Sequence, residues 1–384
     1  MTNRERFLAV ARFEQPDYIP IFGIRGAPGM SGGAMKTTHE RLLAQGMPAW
    51  VGGACDSDLA SWHRYWGTCS NITVDFLDGA RGIPGFKTVT RIENGFEVVE
   101  CESGALTRQM IDNANVYSMP EFVRFSVRDR TSWEFWRERM TPRGFMTATE
   151  REEFCRRFDA RCEPLACCAW GAYAFIRDSM GPEGASLAFY DDPDLVRDMI
   201  AWLTQMARKE FFPLVERLKP EMVILGEDLC YNHGMLLSPA LFDAFCGPYY
   251  AAIGECAQAA GVPVRGVDSD GNIMEYAGCA ARRGINFLYP NEVKAGNDLF
   301  TLRRQQPRLV LGGWLEKESV NEGNGELIER EIMDKVPPLL AQGGYFPNGD
   351  HGLQPPVSFN SLCRFMNLLH EVCGNPEGEF PRTK

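Results

Sequence analysis

Among its 384 residues this protein has only five histidines, and none of its thirteen cysteines stand in a CxxC or CxC spacing. The odd, scattered cysteines, with one vicinal pair at Cys167 and Cys168, argue against a disulfide framework. They read as reduced, mostly buried thiols of a cytoplasmic protein. Positive charge is scarce too: 40 Lys and Arg stand against 51 Asp and Glu, a net charge of −11. Nucleic acid and anionic membrane surfaces call for the opposite balance, so a small molecule or a protein is the expected partner. No apolar run approaches the roughly 18 residues that span a bilayer. Only five apolar or small residues separate Arg6 from Arg12, too few for the apolar region of a secretory leader. What is present is ordinary: 45% hydrophobic and 24% charged residues, which excludes disordered, collagen-like and coiled-coil classes.

The first segment, TNRERFLAVARFEQPDYIP, predicts a helix capped at Thr2 or Asn3, with Phe7, Leu8, Val10 and Ala11 on one face. Gln15-Pro16-Asp17 stops it, and YIPIF follows as a predicted strand. Residues 30–85 are rich in glycine and in polar and aromatic residues without period, as functional covering loops often are. Trp50, Trp62, Tyr65 and Trp66 in that stretch suit either an apolar pocket lining or core packing. Residues 86–112 alternate between hairpin signals at Asn94-Gly95 and Ser103-Gly104, predicting a small antiparallel β meander inserted in the main fold.

From residue 163 the order becomes rhythmic. Apolar strands are predicted at 164–170, 222–226, 262–267, 285–289, 309–315 and 343–347. Amphipathic helices are predicted between most of them, at 191–218, 238–260, 272–283, 297–306 and 320–341. Buried strands alternating with helices imply a parallel sheet with right-handed crossovers. With YIPIF and one further strand in the N-terminal third, the expectation is a (β/α)8 TIM barrel, a single domain over 1–384. A doubly wound open sheet is the competing fold, but no GxGxxG follows any strand.

Barrel enzymes carry their chemistry just past the C-terminal ends of the strands. Reading those places gives Glu227, Asp228, Cys230, Tyr231, Asn232 and His233, then Asp268 and Asp270. Asn291, Glu292 and Lys294 follow, then Glu316 and Lys317, and last Asp350 and His351. Each has a plainer use. Glu227 or Asp228 suits a helix cap or loop amides, Asp268 to Asn272 a tight turn, and Glu316-Lys317 a surface pair. His370 lies on a C-terminal helix face and reads as structural. Zinc prefers Cys and His in close pairs with a remote ligand. Glu227, Cys230, Asp268, Asp270 and His351 would assemble a mixed metal site, although their spacing does not compel one.

These rim residues and their frames resemble the uroporphyrinogen decarboxylase superfamily. The similar stretches are TNRERFLAVARFEQPDYIPI, YDDPDLVRDMI, LGEDLCYNHGMLLSPALFDAFCGPYY, SDGNI and GGYFPNGDHGLQPPVSFNS. The resemblance implies a (β/α)8 barrel. It departs from the decarboxylases at RQAGR, whose arginines hold substrate carboxylates: Arg25 matches the first, but Gly29 stands in place of the second. It departs from the coenzyme M-specific methyltransferases as well, since Asp268 and Asp270 occupy the positions of their zinc-binding HxC pair. Asp350 or His351 lies near their last cysteine. FSVRDRTSWEFWRERM and the meander look like the aryl methyl ether demethylases.

The resemblance therefore implies a corrinoid-dependent methyltransferase, moving a methyl group from a small methylated, methoxyaromatic-type substrate to the cobalt of a corrinoid protein. Glu227, Asp268, Asp270 and His351 would activate the leaving group. Arg25, Asp228, Tyr231, Asn232, Glu316, Lys317 and Asp350 would bind substrate. The alternatives are a decarboxylase of a tetrapyrrole or small acid, and a non-catalytic metabolite-binding barrel.

Overall fold

The computed structural model describes residues 1–22, 34, 36–53, 59–75, 88–101, 104–111, 121–139, 146–354, 356–376 and 378–382. Its strands, in chain order, begin with β1 (Ile72–Asp75), followed by β2 (Val89–Glu93), β3 (Phe96–Glu100), β4 (Leu106–Met110) and β5 (Glu121–Arg124). Then come β6 (Leu165–Trp170), β7 (Met222–Gly226) and the short β8 (Cys230–Tyr231) and β9 (Gly234–Met235). The last four are β10 (Val264–Ser269), β11 (Phe287–Pro290), β12 (Val310–Leu315) and β13 (Tyr345–Gly349).

Seven strands form one parallel sheet in the order β1-β6-β7-β10-β11-β12-β13. Six are the apolar runs read from the sequence. The seventh is β1, not YIPIF. Residues 19–22 form no strand, and Pro20 has no N–H to give a ladder. They are nonetheless buried along the sheet's open side: the Ile21 carbonyl accepts the Cys69 N–H at 2.7 Å, just before β1. The Phe22 ring meets Phe346 of β13 at 6.1 Å. An eighth strand and closure are absent among the described residues, so the architecture is a curled, barrel-like α/β sheet rather than the full barrel expected. No described helix is long and apolar enough to cross a membrane.

The alternation of side chains along each strand sorts the sheet into two faces. Tyr345 points towards the outer helices, where Cys373 and Glu331 lie near its hydroxyl. Its neighbour Phe346 points the other way and stacks on Phe7 of the N-terminal helix at 5.1 Å. Register carries this inner face across the sheet. Gly312 pairs with Phe346, a Cβ on Gly312 would touch the Phe287 ring at 3.0 Å, and one on Gly266 would touch it at 2.7 Å. Gly266 in turn pairs with Ile224.

The meander forms a sheet of its own, ordered β2-β3-β4-β5. It runs one strand beyond the expected limit near residue 112, to Arg124. Asn94 and Gly95 turn its first hairpin with φ of 50° and 81°, the left-handed pair of such two-residue loops.

At the N-terminal ends of the strands a buried carboxylate ties the structure together. Thr2 and Glu5 close a capping box on helix Asn3–Ala11. That helix sends Arg4 to Glu221 at 2.7 Å. Glu221 also takes Arg161 at 2.9 Å and the Leu165 N–H at 2.9 Å, joining the helix to the starts of β6 and β7. Burial raises the Glu221 carboxyl, but Arg161, Leu165 and Arg4 outweigh it and hold the group below its ordinary 4.5. Glu221→Gln breaks a buried ion pair and is expected to cost about 3–5 kcal/mol of stability at pH 7 by chemical denaturation. Because the folded-state pKa is depressed, this contribution is present above pH 4.5 and is lost as pH falls through the folded value. A difference between mutant and wild type that stays constant down through that range would refute the account.

Candidate active site

At the C-terminal ends of β10, β11 and β13 the chain brings Asp270, Glu292 and His351 together. Each offers an oxygen or nitrogen within 4.8 Å of the others, and they are the one such cluster of three or more among the described residues. His351 Nε2 lies 3.4 Å from Asp270 Oδ2. Its Nδ1 accepts the Gly352 N–H at 2.7 Å, so the neutral ring carries its proton on Nε2, towards Asp270. The Asp270 carboxylate raises the imidazole's pKa against the opposing pull of burial. Glu292 is already engaged: Oε2 accepts the Gly271 N–H at 2.8 Å, and Oε1 lies 3.5 Å from Lys317 Nζ.

Asp350 holds this arrangement. It is 2% exposed and accepts the Val293 N–H at 2.8 Å and the Lys317 N–H at 2.9 Å. One carboxylate after β13 thus fixes the turns after β11 and β12. Burial pushes its pKa up to about 6, against the pull of those two amides. On the other side Arg177 meets Asp228 at 3.2 Å, and Asp228 Oδ1 receives the Asp270 N–H at 3.4 Å. Burial and Asp270 raise Asp228. Asp228 and Asn291 take left-handed φ of 48° and 62° at the ends of β7 and β11. Asp and Asn tolerate that conformation better than other side-chain-bearing residues.

Other expected residues stand apart. Glu227 turns to the helix side, 2% exposed. It accepts the Ala174 N–H at 3.0 Å and the Tyr250 hydroxyl at 2.5 Å, and Tyr250 meets Tyr276 at 2.7 Å. It caps helix Ala172–Asp191, so its place agrees with the plainer reading as a helix cap. Gly171 makes room for it, since a Cβ there would lie 1.6 Å from Glu227 Oε2. Cys230 is buried, which pushes its thiol up to about 12, far from a thiolate ligand. The five-residue metal set is therefore not assembled: only Asp270 and His351 meet, and Glu292 replaces the rest. Asp268 is half-buried on the inner face, paired with Gly226 and Tyr289. Tyr231 and Asn232 are exposed. Glu316 stands 3.6 Å from Lys294. Arg25 lies outside the described residues.

Trp62, Tyr65 and Trp66 are core, Tyr65 and Trp66 packed with Phe380 and Trp62 with Trp66, while Trp50 is exposed. His370 is buried and structural, its Nε2 2.9 Å from the Trp66 carbonyl. Arg177 carried no signal in the sequence, being seven residues past its strand. Glu292, three residues past 285–289, is visible at the rim but indistinguishable there from Lys294.

By residue type Asp270, Glu292 and His351 suit a divalent cation. As arranged they do not fit one: both Glu292 oxygens are engaged, a lysine ammonium stands beside them, and the ring's proton faces Asp270.

Burial raises Glu227 to about 7, against the hydrogen bonds that favour its charged form. The unfolded chain releases that proton near 4.5 and the folded one holds it until about 7, so folded stability falls as pH rises between those values. Denaturation across pH is expected to show wild type losing stability relative to Glu227→Gln over that window and level outside it. A pH-independent difference would mean that the buried carboxyl keeps its ordinary pKa in the folded chain.

No protein-family model matches the chain, and no curated protein matches it. A solved methyltransferase from Methanosarcina mazei is similar in fold, with a TM-score of 0.56 at 13% identity over 97% of this chain and 98% of that one. At that identity the likeness is one of architecture.

Proposed function

We propose that the chain is a methyltransferase that takes a methyl group from a small methylated compound, a methoxyarene in the leading case, for a corrinoid carried by a partner protein. The observation that carries this reading is the convergence of Asp270, Glu292 and His351 from three strand ends onto one spot. The fold shared with a methyltransferase supports it.

An ether oxygen leaves poorly as an anion, so the protein must supply a strong nucleophile for the methyl and a proton for the oxygen. The corrinoid, when bound, supplies the nucleophile as reduced cobalt. His351 supplies the proton: a second proton taken up at Nδ1 displaces the Gly352 contact, and Asp270 stabilises the resulting cation. Lys317, held by its own backbone on Asp350, adds positive charge where the oxygen becomes negative. Asp228, Asp268, Asp270, Glu292 and Glu316 outnumber Arg177, Lys294 and Lys317 among the described residues of this rim, a poor setting for the several carboxylates of a tetrapyrrole.

The test is release of free phenol from a panel of methoxyarenes in the presence of a reduced corrinoid protein. Asp270→Asn and His351→Ala are each expected to lower turnover by about 10²–10⁴-fold. The His351 acid works only when protonated, so activity falls as pH rises through its raised pKa. Residual activity of Asp270→Asn should lose its alkaline limb at lower pH than wild type. Treatment with EDTA should leave the rate unchanged. No phenol release from any donor would sink the reading, and abolition by EDTA with rescue by zinc would replace the proton with a metal.

A further inference from the structure

Gly226 ends β7 on the inner face, two residues above Ile224. Register sets Trp170 on one side of it and Asp268 on the other, with Tyr289 beyond Asp268. Ile224 is fully buried in its central strand, yet Gly226 is exposed, and no described residue comes within 4 Å of the place its Cβ would take. Its φ lies outside the left-handed region, so the backbone does not demand a glycine.

The same face shows what its glycines accommodate. Below Gly226, Gly266 and Gly312 both give onto one aromatic ring, that of Phe287, and a Cβ on either would meet it at 2.7 and 3.0 Å. Two missing side chains there make room for one flat ring. At Gly226 no described side chain makes the same use of the space. Trp170 and Asp268 stand two strand spacings apart, roughly 10 Å. The half-buried Trp170, its ring 5.7 Å from that of Phe175, is the aromatic neighbour on the adjoining strand. Asp270 lies just past the end of β10, two residues on from Asp268, so a ring seated on Gly226 has the Asp270–His351 pair above it.

We infer that Gly226 is a specificity-determining residue: its missing side chain forms the floor of a slot for a single aromatic ring of the substrate, beside Trp170 and beneath the Asp270–His351 pair. The inference rests on the methyltransferase reading for its substrate and narrows it to aromatic donors.

Binding of 2-methoxyphenol to the full-length protein, measured by calorimetry without any corrinoid protein, separates the two. Wild type should bind. Gly226→Leu should bind more than tenfold more weakly with an unchanged circular dichroism spectrum, and Gly226→Ala about threefold more weakly. The alanine variant adds one methyl to open space and decides the matter should the leucine variant fail to fold. Equal affinities across wild type and the folded variants would overturn the floor assignment alone. No binding by wild type would overturn both it and the methoxyarene reading. Binding that is lost in Gly226→Leu, without phenol release by wild type, would uphold the slot and overturn methyl transfer.

Discussion

Asp350 sits where three strand ends must agree. Its two oxygens each hold a backbone N–H from a different turn, Val293 after β11 and Lys317 after β12, while its own backbone continues β13 into His351. Glu292, Lys317 and His351 keep their mutual distances because one buried group holds the turns that carry them. Burying a carboxylate is costly unless its lone pairs are used. The pairing of this group with two amides is therefore both its own compensation and the source of the rim's geometry. Functional groups held by such backbone bonds are placed more tightly than groups that merely face one another.

The opposite use of the same chemistry is seen one residue past Gly226. Glu227 and Asp228 are adjacent carboxylates at one strand end, yet the first turns into the helix layer and the second towards the rim. The left-handed turn at Asp228, with φ of 48°, separates them. Glu227 serves a helix start and a pair of tyrosine hydroxyls, while Asp228 joins Arg177 and the Asp270 amide. Charge alone does not distinguish a structural acid from a rim acid. The face on which each lies does.

This marks how much was legible in the chain. The six apolar runs from 164 to 347 are strands, because a parallel strand buried on both faces must be continuously apolar and its pattern is local. The hairpin at Asn94-Gly95 was readable for the same reason, its turn residues being dictated by their own φ. YIPIF failed as a strand because burial and strand pairing are different demands, and Pro20 meets only the first. Helix Ala172–Asp191 is not legible in the sequence because Gly181 and Pro182 interrupt its period, Gly181 with φ of 80°. At the site, the strand-end rule found Asp270, Glu292 and His351 among many candidates, but which of them meet depends on turn geometry set by distant amides. Arg177, Gly171 and Gly226 gave no warning, since their roles exist only across strands.

The Glu221 hub lies at the far end of the strands from the reactive rim. Arg4, Arg161 and the Phe7–Phe22–Phe346 packing hold that end through contacts that involve no rim residue. A scaffold divided in this way can exchange rim residues over evolutionary time without risking collapse, and lineages descended from it can diverge in the compounds they accept while their lower halves stay alike.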